Sequence, residues 1–448
     1  MLKRISPVPG VALAPLVLAL FASAPTAWAD DWPQWMGPQR DGVWRESGVV
    51  SSLPQGGAPV AWRAEVGYGY AGPAVAAGRV YLFDYLVESG EIVNAPSTRD
   101  RLTGAERLTC FDAATGAVVW RQQYRRDYAI SYGGGPRCTP TIDGDRVYTL
   151  GAEGDLVCRQ TSDGGELWRV NFREAFAAET PIWGHSAHPL VVGDTVYCVA
   201  GGEGSVAVAF DKHTGEVKWK ALSAKEPGYC PPTMIHHAGR QQLLIWHPES
   251  LNSLDPASGE VSWSLPMKPA FGMSLAAPQQ LGDRLFVSSI GNLSVMMKLT
   301  GGERGVEVLW SGTGKTGVRS VNATPQLEPG VIFGVDCENS SLMAVGMDDG
   351  RRLWETKEPT IGDRRGRHGT AFLVRHEPTG GYFLFNEAGD LISARLSAEG
   401  YTETGRQPLL EPTSSAFGRP VVWSYPAFAE RSVFARNDKE LVRVDLSE

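Results

Sequence analysis

The sequence predicts an all-β fold, an eight-bladed β-propeller closed by an N-terminal strand, with seven blades as the fallback count. Three observations predict it. A ten-residue element recurs as FDAATGAVVW (111–120), FDKHTGEVKW (210–219) and LDPASGEVSW (254–263). Before it stands an apolar strand near a Pro, a Gly/Asp turn and a strand ending in Val-Tyr or a relative, so one period is one blade. The 52 Gly, 30 Pro and 14 Trp fit many short strands joined by tight turns and edged with aromatics, and do not fit a helical protein.

Each residue of the recurring element has a physical task. Asp112 can accept hydrogen bonds from the turn backbone, Gly116 supplies a positive φ, and Trp120 covers the seam to the adjacent blade. Asp211, Gly215 and Trp219, then Asp255, Gly259 and Trp263, repeat these roles.

In chain order the units start near 72–83, 138–150, 187–199, 230–235, 276–288, 322–334, 368–374 and 419–428. Trp120, Trp168, Trp219, Trp263, Trp310 and Trp354 close six of them, and the seventh has lost its Trp around Gln407. The eighth stops at LVRVDLSE (441–448) without an outer strand, while PVAWR (59–63) carries a Trp with no blade before it. Pairing the two closes the ring and leaves no open seam of unpaired strand edges. The domain reading is therefore a signal peptide over 1–29, a Trp-rich strap over 30–58 and a single propeller over 59–448. Trp32, Trp35 and Trp44 are the strap's expected anchors.

The first residues read as an export signal: Lys3-Arg4, an apolar stretch from Val11 to Ala24, then Ala27-Trp28-Ala29. Pro15 interrupts that stretch, which is too short to span a bilayer, so no membrane span is expected. Cleavage after Ala29 leaves a periplasmic or secreted chain, with no Cys near the cut to take a lipid anchor. The net charge of −8 becomes about −10 on losing Lys3 and Arg4, which argues against a nucleic-acid partner. Export permits disulfides among the six Cys. Cys110, Cys158 and Cys198 nevertheless lie in apolar strands as small hydrophobes, and Cys138 and Cys230 hold matching places in non-neighbouring repeats.

Motifs for chemistry are incomplete. GTGKT (312–316) lacks the first Gly of a phosphate-binding loop and has no helix after it. GHSAH (184–188) puts His188 where a nucleophile elbow needs Gly. The pairs His185/His188 and His236/His237 lack the Cys or carboxylate company of a zinc site, so no metal is assigned.

The loops that precede the first strand of each blade should converge on one face around the axis. They carry Tyr68, Tyr70, Tyr132, Arg137, His185, His188, Tyr229, Met273, Arg319, Asn322, Arg367, His368, Phe417 and Arg419. Tyr132, Arg137, His185, His188, Arg319, Arg367, His368 and Arg419 are the candidate ligand-binding residues. Guanidinium groups beside aromatic faces suit an anionic or carbohydrate ligand or a peptide carboxylate. The competing reading gives each Arg to a neighbouring blade's Asp or Glu and leaves each Tyr to pack.

The repeated D-x-x-T-G-x-x-x-W element, with GPRCTPTIDGDRVYTLGAEGDLVC (135–158) and RNDKELVRVDL (436–446), resembles the pyrroloquinoline-quinone-like repeat. That resemblance covers the mature chain and implies one of two functions. One branch consists of quinoprotein alcohol or sugar dehydrogenases holding pyrroloquinoline quinone (PQQ) with Ca²⁺, typically under a disulfide between adjacent cysteines. The other consists of scaffold propellers without cofactor, including the outer-membrane protein assembly factor. No Cys-Cys pair and no acidic cluster with Ca²⁺-loop spacing occurs here. The expected function is thus a non-enzymatic, monomeric binding module without cofactor, taking a periplasmic or cell-surface protein or an anionic or carbohydrate ligand. The quinoprotein oxidoreductase is the alternative.

Overall fold

The computed structural model describes residues 1–2, 30–301, 305–364 and 366–448, so the expected signal peptide, but for its first two residues, lies outside the described residues. Eight antiparallel four-stranded blades stand in a ring, seven of them laid down from the inside outward in chain order. Blade 1 consists of Ala74–Ala76, Arg79–Ser89, Asp100–Asp112 and Val118–Arg125. Proline marks where a blade begins. Pro73, Pro140, Pro189, Pro232, Pro278, Pro325 and Pro426 each directly precede an inner strand, where a missing N–H costs no ladder bond.

Closure follows the predicted route. Val60–Glu65 pairs with Glu440–Asp445, with Trp62 opposite Arg443 and Arg63 opposite Val442. The last blade is therefore built from both ends of the described chain. Its inner strand is Ala427–Ala429, which corrects the expected start at 419. Arg419–Val421 instead pairs with Ser414–Ala416 in a separate hairpin, because Pro426 rather than Pro420 carries the blade-opening role.

Tryptophans tie the blades together as the recurring element requires. The indole N–H of Trp62 donates to Ala113 O at 2.8 Å, Trp120 to Thr161 O at 2.9 Å and Trp168 to Lys212 O at 3.0 Å, each in the next blade. Beneath each ring sits a turn glycine. Gly116 has φ +72°, and a Cβ built there would come within 2.7 Å of the Trp62 ring. Asp112 accepts from Thr115 N at 3.0 Å and so holds the turn. Trp263 departs from the pattern by donating within its own blade to Gln242 Oε1 at 2.9 Å.

In blade 7 the position equivalent to these tryptophans is Gly405, opposite Ser393 at the bulge, rather than Gln407. Gln407 has another partner: its side-chain amide exchanges two hydrogen bonds with the backbone of Ala58. Sequence alone placed the lost Trp two residues late because the turn between Leu396 and Tyr401 lacks the D-x-x-T-G element from which the position is counted.

The segment from Asp31 to Leu53 crosses one end of the ring. Trp32 bridges Val75, Pro33 O accepts from Ile142 N at 2.8 Å, and Val43–Trp44 runs parallel to Arg375 and His376. Trp32 and Trp44 are each 1 % exposed, and Trp35 is half-buried. Trp35 and Arg40 reach further along the axis, to His188 and Tyr425, which stand ahead of the inner strands of blades 3 and 8. The strap thus enters from the end opposite the predicted binding loops and floors the funnel.

All six cysteines are free and buried. Among the described residues no helix is long and apolar enough to cross a membrane.

Candidate ligand-binding face

Blade 1 carries an extension that shapes this face. Its second and third strands run on past the ring, and Tyr128–Ile130 pairs with Asp100–Leu102. The loop that follows is folded onto Arg137, whose guanidinium donates to the carbonyls of Ser131 at 2.9 Å, Tyr132 at 2.5 Å and Gly135. It also lies 5.2 Å from the centre of the Tyr70 ring. Burial lowers the pKa of Arg137 from its ordinary value. Its role here is to hold the Tyr132 loop.

The structure brings Tyr132, His368 and Arg419 together with Phe417 and Trp423. The Tyr132 and Trp423 rings are 6.0 Å apart, Phe417 and Trp423 6.2 Å, and His368 stacks flat on Phe417 at 4.7 Å and 7°. Burial first, then the charges of Arg419 and Arg367, press the His368 imidazole down to about 4, so it is a neutral stacking surface at physiological pH. Tyr132, His368 and Phe417 all hold positive φ, at 53°, 57° and 51°. Bulky side chains resist that backbone region, so the strain is retained where the rings converge.

Arg419 forms a bidentate pair with buried Glu387 at 2.7 and 3.0 Å, and Arg319 forms one with buried Asp336 at 2.7 and 2.8 Å. Arg419, on the hairpin ahead of blade 8, is thus tied to a carboxylate of blade 7, whereas Arg319 is tied to a carboxylate of the blade it precedes, blade 6. Arg367 is exposed, with Glu338 at 3.7 Å.

The two histidines of GHSAH separate. His185 is 2 % exposed and packs edge-on against Phe172 at 5.4 Å, where burial, then Arg173, lowers its pKa to about 4. His188 stacks on Trp35 at 4.9 Å in the axial channel. His236 is exposed at the far end of its strand beside Gln241. Among the described residues no three His, Cys, Asp or Glu side chains are grouped to hold a metal. GTGKT forms an exposed turn closed by Thr313 and Thr316.

Trp183 and Trp423 line this face and Trp35 and Arg40 reach it only from beneath, at His188; none of the four was among the expected site residues. Trp183 lies 5.4 Å from Tyr229, and Tyr229, Tyr132 and Trp423 each keep a buried polar atom without a partner. The sequence signal for Trp35 was the Trp-rich strap, which points to packing and does not reveal that its neighbour Arg40 reaches the His188 carbonyl.

A family model for the outer membrane protein assembly factor BamB matches residues 104–242 and 247–448. BamB from Moraxella catarrhalis is a structural neighbour with TM-score 0.55 and 15% identity, covering 86% of this chain and 98% of that one. Quinohemoprotein alcohol dehydrogenase from Comamonas testosteroni superposes with TM-score 0.58 and 12% identity over 93% of this chain and 81% of its own. A europium-containing methanol dehydrogenase gives 0.57 and 12%, over 93% and 89%. These likenesses show the fold alone. No curated protein sequence matches significantly. With the BamB model matching well over half of its length, the chain belongs to the family of the outer membrane protein assembly factor BamB.

Proposed function

We propose that the chain acts after export, in the periplasm, as a non-enzymatic scaffold that engages a partner protein through the mouth of its funnel. The observation that carries this reading is the convergence of Tyr132, His368, Phe417 and Trp423 from separate loops, three of them on strained backbone. Phe417 is 47% exposed, and rings of this kind, rigid and half-desolvated, are the usual anchors of protein interfaces. Family membership supports a role in assembling outer-membrane proteins, the function named for BamB.

The quinoprotein reading needs a Ca²⁺-held quinone, and the described residues do not fit one. Of the buried carboxylates around the funnel loops, Asp336 and Glu387 are committed to Arg319 and Arg419 and Asp100 holds Gly133 N of the Tyr132 loop, and among the described residues no three His, Cys, Asp or Glu side chains group to hold a metal. Reconstitution with PQQ and Ca²⁺ followed by dye reduction with alcohols tests that alternative directly.

Site-specific photocrosslinking tests the scaffold reading. A crosslinker at Phe417 should give discrete adducts that disappear with Trp423→Ala, while one at Val217, exposed on an outer strand, should give none. Adducts at 217 with none at 417 would place the partner elsewhere.

A further inference from the structure

The strap sets the Arg40 guanidinium against the loop that opens blade 3, with no carboxylate in salt-bridge reach among the described residues. Arg40 donates to Pro189 O at 2.8 Å, His188 O at 3.3 Å and Gln34 Oε1 at 3.5 Å, and lies 5.4 Å from the centre of the Trp35 ring. Its neighbour Asp41 is turned away and held by Arg45 at 2.6 Å. Among the described residues the charged or titratable groups acting on Arg40 are the thiols of Cys138, Cys198 and Cys230, and burial lowers its pKa to about 10. His188 facing it does not compensate, since burial and then Arg40 itself keep that imidazole neutral, and its Nδ1 has no partner. Nearer the mouth, the Tyr229 hydroxyl also has none, on a residue 2% exposed.

Arg40 is half-buried, and a cation partly withdrawn from water is costly unless an opposite charge accompanies it. Its neutral acceptors and one indole face offset only part of that cost. The bonds to those acceptors engage Nη1 and Nη2 and, among the described residues, none engages Nε, and a single charge matches a single cation.

From this we infer that the funnel floor is a binding site for one carboxylate, held by Arg40 against the wall of Trp35 and His188. The inference deepens the funnel-binding reading and rests on it. The carboxylate can be a peptide C-terminus or an acidic sugar, which share the chemistry and differ in the body that the mouth must admit.

The test uses the mature chain, titrated by calorimetry and by tryptophan fluorescence. The probes are N-acetyl-alanyl-alanine against its C-terminal amide, and glucuronate against glucose. One acid should bind at least about tenfold more tightly than its neutral counterpart, identifying the source. Arg40→Gln should lose the same factor at unchanged Tm, and Arg40→Lys should keep part of it. Equal binding of acid and neutral probe, no binding of either acid, or unchanged binding by folded Arg40→Gln would overturn the site. Should that variant not fold, the acid and neutral pairs on the wild type decide alone. Crosslinking at Phe417 is read independently, so adducts there without carboxylate binding would reject the anion site and leave the scaffold reading standing.

Discussion

Leu53 fills the place of the missing blade-7 tryptophan: a Cβ built on Gly405 would lie 2.8 Å from the Leu53 carbonyl oxygen and 2.9 Å from its Cβ. The fit is reinforced on both sides. Leu53 N donates to Ser393 Oγ at 3.0 Å and Ser52 Oγ to Thr404 O at 2.8 Å in blade 7, while Val50 N donates to Leu446 O at 2.9 Å in blade 8. The strap therefore seals the seam that lacks an indole. Leu53→Ala should cost about 2–5 kcal/mol, the range for truncating a buried leucine, measured by urea unfolding. Gly405→Trp, which restores the repeat on paper, should destabilise, because its side chain must expel the strap.

Ring closure makes a sharper prediction at Trp62. Its indole bonds to Ala113 O and covers Gly116, so Trp62→Ala removes both the seam's hydrogen bond and its apolar cover. A loss of about 3–5 kcal/mol is expected in thermal or urea unfolding. Gly116→Ala attacks the same contact from the other side and should cost more than 1 kcal/mol, since the residue holds φ +72° and the new methyl meets the ring. If the two effects add fully in the double variant, the residues do not share a contact.

Arg419 separates structure from recognition. Because Glu387 is fully buried, Arg419→Met would strand a carboxylate and should cost about 3–5 kcal/mol in stability. Arg367→Ala, on an exposed side chain, should leave Tm unchanged and weaken only partner crosslinking.

Glu106 gives a pH dependence with a defined sign. It is fully buried, accepting Tyr128 OH at 2.6 Å, Ala152 N at 2.9 Å and the Tyr124 hydroxyl, and burial raises its pKa to about 7 despite those bonds. The folded value lies above the unfolded one, so between about 4.5 and 7 the native state holds a proton that the unfolded chain has released. This group's contribution therefore falls as pH rises through that window, by roughly 3 kcal/mol at most. Glu106→Gln should flatten the dependence: more stable than wild type at pH 8 and similar at pH 5, followed by urea midpoints. An unchanged pH profile in the variant would show that Glu106 is not the titrating group.

The repeat and its closure were legible because each depends on local chemistry: a turn Asp, a positive-φ Gly and a Trp recur at fixed spacing wherever a blade must meet the next. Pro and Gly likewise state backbone geometry in the sequence itself. Legibility ended where the repeat decays. Gly405 and Pro420 misled because blade 7 lacks the D-x-x-T-G turn that fixes the count in the clearest repeats, and because an added hairpin places a Pro ahead of the blade-opening Pro426.

By itself, the sequence predicted an eight-bladed ring with seven as the fallback, and the Trp-to-glycine seams, set by residues a few positions apart. It also predicted the joining of Val60–Glu65 to the final strands, read from an outer strand missing at one end of the repeat and left over at the other. Only the tertiary structure decided the use of the cations. It gave Arg319 and Arg419 to buried carboxylates, Arg137 to three carbonyls, and Arg40 to the loop that opens blade 3 without a counter-charge. The reason is that an arginine's partner is fixed by which carboxylates the ring brings within about 4 Å, and that distance is set by how whole blades stand against one another.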